Sequence, residues 1–249
     1  MNRHTLPAFR AIALISSLLL LGTAQAHQVW IEQDGKQAKL YFGEFGDNLR
    51  EASPGRLDKF VAPTAQRIDS QTAQPLNVTK TANGFALSAT AARGESLVAE
   101  DTRYPITERK DGDKLVRNFY LPAARLVTTF DKQAPKLTLD LVPTGQSSKD
   151  GVEMQVFYKG QVLPKAKVAV TTPLGWGKEH RADDQGKFTV TLPWKGGYVL
   201  EVKHADNSGG ERGAETFDRA SYVTSLTVTQ PEGWPALPAA PAAKPNEMK

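Results

Sequence analysis

Cysteine is absent from all 249 residues. That removes catalytic thiols, iron–sulfur clusters, thiolate zinc sites and a lipoprotein anchor, and it leaves the chain without disulfide staples. Methionine is nearly as scarce: Met1, Met154 and Met248 cannot assemble a thioether copper(I) site. Charge of one sign is missing too. The 31 basic and 27 acidic residues leave a formal net charge of +4, and the basic residues are scattered without aromatic interleaving. Such a balance does not suggest nucleic-acid binding. No Gly-x-Ser-x-Gly elbow, no HExxH and no phosphate loop occur, and Asp183-Asp184 fall in a turn. Hydrolase and nucleotide chemistry are disfavoured, and the chain is expected not to be an enzyme.

Only one long apolar run exists, and it lies at the start. Arg3 and Arg10 give a positive n-region, residues 11–22 are apolar but short for a bilayer span, and Ala24-Gln25-Ala26 has the small-x-small pattern that signal peptidase cleaves. Residues 1–26 are therefore expected to be a signal peptide, with no membrane span in the mature chain and the periplasm as its compartment. Cleavage after Ala26 makes His27 the first residue. A free α-amine and an imidazole on one residue together chelate a divalent transition metal.

The remaining periodicity is almost entirely two. Val152–Val156, Val168/Val170, Phe188/Val190/Leu192 and Tyr198/Leu200/Val202 alternate, and Asp34-Gly35, Asn83-Gly84, Lys159-Gly160 and Lys195-Gly-Gly197 supply turns between such runs. This predicts an all-β chain of two β-sandwich domains, 27–133 and 136–230, joined near Asp131–Pro135. Strands are expected at Val29–Glu32, Ala38–Glu44, Gly84–Ala89, Ser96–Glu100 and Leu115–Tyr120 in the first unit. The second is expected to open with Leu137–Val142 and close with Tyr222–Val228. The Pro/Ala-rich tail 231–249 is expected to be disordered.

Within the second unit the order Gln161-Val-Leu-Pro-Lys-Ala-Lys-Val-Ala-Val170, Ala182-Asp-Asp-Gln-Gly-Lys-Phe188 and Leu192-Pro-Trp-Lys-Gly-Gly-Tyr-Val-Leu200 resembles the transthyretin-like or carboxypeptidase-regulatory-like sandwich. That resemblance implies a fold and no chemistry. Ala26-His-Gln-Val-Trp-Ile31, Gly43-Glu44, Val202-Lys-His204 and Tyr222–Val228 are similar to an exported family, the domain of unknown function 4198 family. Its members are described as a periplasmic component of a cobalt or nickel transport system, which implies a role near divalent-metal uptake.

Metal ligation is the chemistry the residues themselves leave open. With Asp34-Gly35 as a two-residue hairpin turn, His27 lies opposite Phe42. The inward face then reads Val29, Ile31, Ala38, Leu40 and Phe42, with His27 and Glu44 as diagonal neighbours at its rim. His204 shares parity with Tyr198, Leu200 and Val202 and is expected to point inward at a strand end. Residues 205–221 form a long acidic connection able to close over a site. His27, Glu44 and His204 thus make a candidate metal site, and nitrogen and oxygen donors suit Ni²⁺, Co²⁺, Cu²⁺ or Zn²⁺. His180 is expected at the surface, Trp30 on the outward face, and Trp176 and Trp194 in loops. The preferred reading is a periplasmic metal binder that serves a membrane metal transporter or outer-membrane receptor. An adhesion or assembly sandwich without metal, and a histidine-brace copper oxidase built on His27 and His204, are the alternatives.

Overall fold

A computed structural model describes residues 27–69 and 72–247, so the expected signal segment lies outside the described residues. Apart from two short 3-10 turns, every regular element among them is a β-strand. A nine-stranded sheet forms the centre of the molecule. Its strand order is Gly177–Arg181, Lys167–Thr171, Gly196–Asp206, Arg219–Gln230, Lys114–Val127, Ser96–Glu100, Thr64–Ile68 and Ala73–Leu76. Thr107–Asp111 pairs onto the start of Lys114–Val127. A front sheet (Gln28–Gln33, Ala38–Glu44, Gly84–Leu87, Val78–Thr81, with Leu49–Arg50) covers one face of this centre. A back sheet (Leu139–Ser148, Gly151–Tyr158, Gln161–Val162, with Lys187–Val190) covers the other.

The two halves of the chain meet inside the central sheet rather than across a linker. Lys114–Val127 runs parallel to Arg219–Gln230 over nine residue pairs, Asn118↔Arg219 to Leu126↔Thr227. The boundary near 131–135 therefore separates what feeds the front sheet from what feeds the back sheet, but both halves build the same centre. Two separable sandwiches are not what forms, because this 14-residue strand pairs with neighbours from both halves.

Side-chain alternation on that strand sorts the two cores. Tyr120, Ala124 and Leu126 face the front and pack with Val29, Ile31, Leu40, Phe42, Phe60 and Phe85. Leu121 and Val127 face the back and pack with Leu139, Leu141, Met154, Val156, Leu200 and Leu226. Arg125, with the back-facing parity, forms a fully buried two-pronged pair with Asp140, Nε to Oδ1 at 3.0 Å and Nη2 to Oδ2 at 2.6 Å. The Asp140 carboxylate also accepts backbone N–H groups of Lys136, Leu137 and Leu141, so its lone pairs are well occupied.

The first hairpin differs from expectation in register. Its turn holds four residues, closed by Asp34 N–H donating to the Gln37 carbonyl and by Asp34 Oδ1 accepting from Lys36 and Gln37 N–H. Pairs therefore run Val29↔Phe42 and Gln28↔Gly43, which sets His27 opposite Glu44 rather than Phe42. A shift of two preserves parity, so the inward face is unchanged. Trp30, expected outward, is 0% exposed. It packs against Phe45 and Val199, because the edge strand Gln28–Gln33 lies against the central sheet on both its faces. The tail also departs from the disordered expectation. Trp234 packs on Trp194, Ala240 carbonyl accepts from Asn48, and Asn246 bonds to Glu51, Arg56 and Pro54.

Candidate functional site

A polar cluster at the rim of the front core collects around His27. The strand Ala38–Glu44 turns back sharply through Phe45–Asp47 into Leu49–Arg50, pairing Gly43 with Arg50 and Glu44 with Leu49. Gly43 makes this possible: its φ is +149°, and a Cβ there would meet the Leu49 carbonyl oxygen at 2.1 Å. Glu51 N–H then donates to the Phe42 carbonyl at 2.8 Å, which carries the Glu51 side chain onto the same face as Phe42, Glu44 and His27.

The His27 ring is held from both nitrogens. Nε2 lies 2.5 Å from Glu51 Oε1, and Nδ1 lies 3.7 Å from Glu44 Oε1. Glu51 is wholly buried; its second oxygen accepts Asn246 N–H at 2.6 Å, and Arg56 Nη1 stands 3.4 Å from the first. Arg56 Nη1 also lies 3.0 Å from His27 Nε2. An N–H on Nε2 satisfies the 2.5 Å contact with the Glu51 carboxylate, and Nδ1 is directed to the Glu44 side. The Phe42 ring packs against it at 5.1 Å, tilted by 46°.

His204 does not join this cluster. It pairs with Tyr222, whose neighbour is Leu121, so its parity is that of the back core. Its ring rests on Tyr158 of the back sheet at 4.3 Å, on the opposite face of the central sheet from His27. Burial holds the His204 imidazole below its ordinary pKa, against a smaller opposing pull from Asp206. Tyr158 donates to Asp206 at 2.7 Å, the leading cause that keeps that carboxyl well below the usual carboxylate range. His180 is half-buried against Phe188, and its Nε2 has no partner; burial lowers its pKa as well. The connection 205–221 is no open loop. It folds as the hairpin Gly210–Arg212 with Glu215–Phe217, and Arg212 ties it to the carbonyls of Thr102 and Tyr104.

Beside His27 opens a cleft of about 700 Å³. Its floor is the front-facing side of the central sheet where the front sheet does not reach: Asn118, Tyr120, Lys203, Ala205, Arg219 and Ser221. Tyr104 and Phe42 form an aromatic wall, and burial, aided by Asp101, pushes the Tyr104 hydroxyl up to about 12. His204 and Tyr222 border the same cleft, although their rings stack with Tyr158 on the far face.

Side chains alone do not complete a metal cage: among the described residues no group of three or more His, Asp or Glu is placed to hold an ion. Nδ1 and the Glu44 oxygen fit such an ion, since two donors each ~2.0–2.2 Å from one metal stand roughly 3–4 Å apart. Glu51 and Arg56 were not legible as site residues. The return strand that positions them is two residues long, too short to show an alternating pattern.

The family described as a domain of unknown function (DUF4198) matches residues 24–206. The chain belongs to this family. The match spans His27, Glu44, Glu51 and Arg56 and ends at Asp206, so the Arg219–Gln230 strand and the tail that caps Glu51 lie beyond it. No curated protein matches the chain.

Proposed function

We propose that this is an exported periplasmic protein that binds a divalent transition metal of the nickel or cobalt class at its N-terminus and assists delivery to a membrane transporter. In this reading a cleaved signal peptide leaves His27 first. The α-amine and Nδ1 of His27 chelate the ion and the Glu44 carboxylate adds an oxygen donor. The observation that carries it is the His27 ring, with Nε2 committed to buried Glu51 and Nδ1 left on the Glu44 side. Histidine ligands commonly donate their other N–H to a carboxylate, which fixes the tautomer and strengthens the ligating nitrogen. Glu51 fills that role and Arg56 balances its charge. The transthyretin-like pattern of 161–200 describes the back-sheet half, and that half serves as a scaffold. The second imidazole required by a histidine brace stands on the other face of the sheet, which favours a carrier over an oxidase.

The test is calorimetry of the protein purified after export, titrated with Ni²⁺, Co²⁺ and Cu²⁺, with mass spectrometry of its N-terminus. The expected result is His27 as residue one and reversible one-to-one binding that His27→Ala abolishes. A mature N-terminus elsewhere, or binding that survives His27→Ala, overturns the reading.

A further inference from the structure

We propose that the cleft beside His27 is a binding site for a small organic anion carrying two or more carboxylates. Five cations line it, Arg56, Lys59, Arg109, Lys203 and Arg219, and no acidic residue does. In a chain with nearly balanced charge, that concentration is local rather than compositional. The cations come from four separate segments: the 3-10 turn at Arg56–Lys59, the short strand Thr107–Asp111, and the two central strands Gly196–Asp206 and Arg219–Gln230. They therefore surround the volume rather than run along one surface.

Arg56 is engaged with Glu51, and Lys203 with Glu201 at 2.8 Å. Lys59, Arg109 and Arg219 have no carboxylate partner among the described residues. Guanidinium groups take carboxylates through paired N–H donors, and like charges walled by low-dielectric aromatic rings focus their field on an anion entering between them. Phe42, Tyr104 and Tyr120 supply apolar contact for a carbon skeleton, which a bare inorganic ion would not use. A volume of about 700 Å³ suits a small organic ligand.

The anion site stands independently of the metal. Resting on the proposed function, it also names the form in which metal arrives: a multicarboxylate chelate whose carboxylates meet the cations while His27 completes the ion's coordination.

The experiment is calorimetry of the protein purified after export with citrate, with inorganic phosphate and with Ni²⁺ separately, repeated on Arg109→Glu combined with Arg219→Glu and on His27→Ala. Thermal unfolding of each variant confirms that it folds. The expected result is citrate binding that weakens at least tenfold in the double arginine variant, persists in His27→Ala, and exceeds phosphate binding at least tenfold. Absent citrate binding, binding unchanged by charge reversal, or phosphate bound as well as citrate would overturn the anion site. Absence of Ni²⁺ binding by the parent protein would overturn only the metal reading.

Discussion

Two wholly buried carboxylates, Asp140 and Glu51, show how differently the two halves of this molecule use the same group. Asp140 sits between the central and back sheets, gripped by both prongs of Arg125 and by three backbone N–H groups. The Arg125 guanidinium also donates to Ser96 Oγ and the Ala134 carbonyl, so the pair is fully committed. Glu51 sits at the rim of the front core, where the lining turns aromatic, and its main partner is an imidazole that is 20% exposed. That partner turns its other nitrogen toward Glu44, 3.7 Å away. The saturated pair joins sheets; the other sits at the edge of an open cleft. The back half therefore reads as a brace and the front rim as the candidate site.

The sharpest way to break that contrast is to remove each carboxylate's function in turn. Asp140→Ala strands the buried Arg125 charge, and losing one partner of a buried pair costs about 3–5 kcal/mol. At ~2–4 °C per kcal/mol for a chain of this size, the thermal midpoint should fall by roughly 10 °C. Replacing both partners, Arg125→Met with Asp140→Leu, should recover most of the loss. An Asp140→Ala midpoint within 2 °C of the parent would show that the pair is no brace.

A smaller effect separates the two faces by pH. Burial lowers the folded-state pKa of His204, so its neutral form is favoured in the folded protein. The stability this contributes is fully present above the ordinary value of about 6.5 and is lost as pH falls through the lower folded value. Tyr158, Asp206 and Lys159 face the ring, and Asp206, held ionised, moderates the effect. His204→Phe should make the decline in thermal midpoint between pH 6.5 and 5 shallower by about 1–2 °C, leaving the slope due to His180. An unchanged slope would mean that His204 titrates as if in water.

Much of this architecture was written locally. Ala38–Glu44 and Ser96–Glu100 form with the expected limits, because alternating apolar residues bounded by turn chemistry define a strand without outside help. The placement of His27 and Glu44 on one face survived a misjudged turn, since moving the register by two keeps parity. What local pattern cannot encode is which core an inward face belongs to. His204 points inward as its parity required, but into the back core, while His27 points into the front one. The sheet between them is assembled by pairing residues 118–126 with 219–227, about a hundred positions apart and without a local signal. Arg125–Asp140 was hidden for the same reason: parity within a strand is visible, the partner across the sheet is not.

The most direct test of the central contrast is the metal affinity of Glu51→Gln, measured with its thermal midpoint and the ¹⁵N spectrum of His27. Loss of an outer carboxylate behind a ligating histidine should weaken binding about 10–100-fold and release the fixed Nε2–H tautomer, with the fold retained. Unchanged metal affinity alongside a midpoint lowered as far as in Asp140→Ala would contradict the account and make Glu51 a second brace.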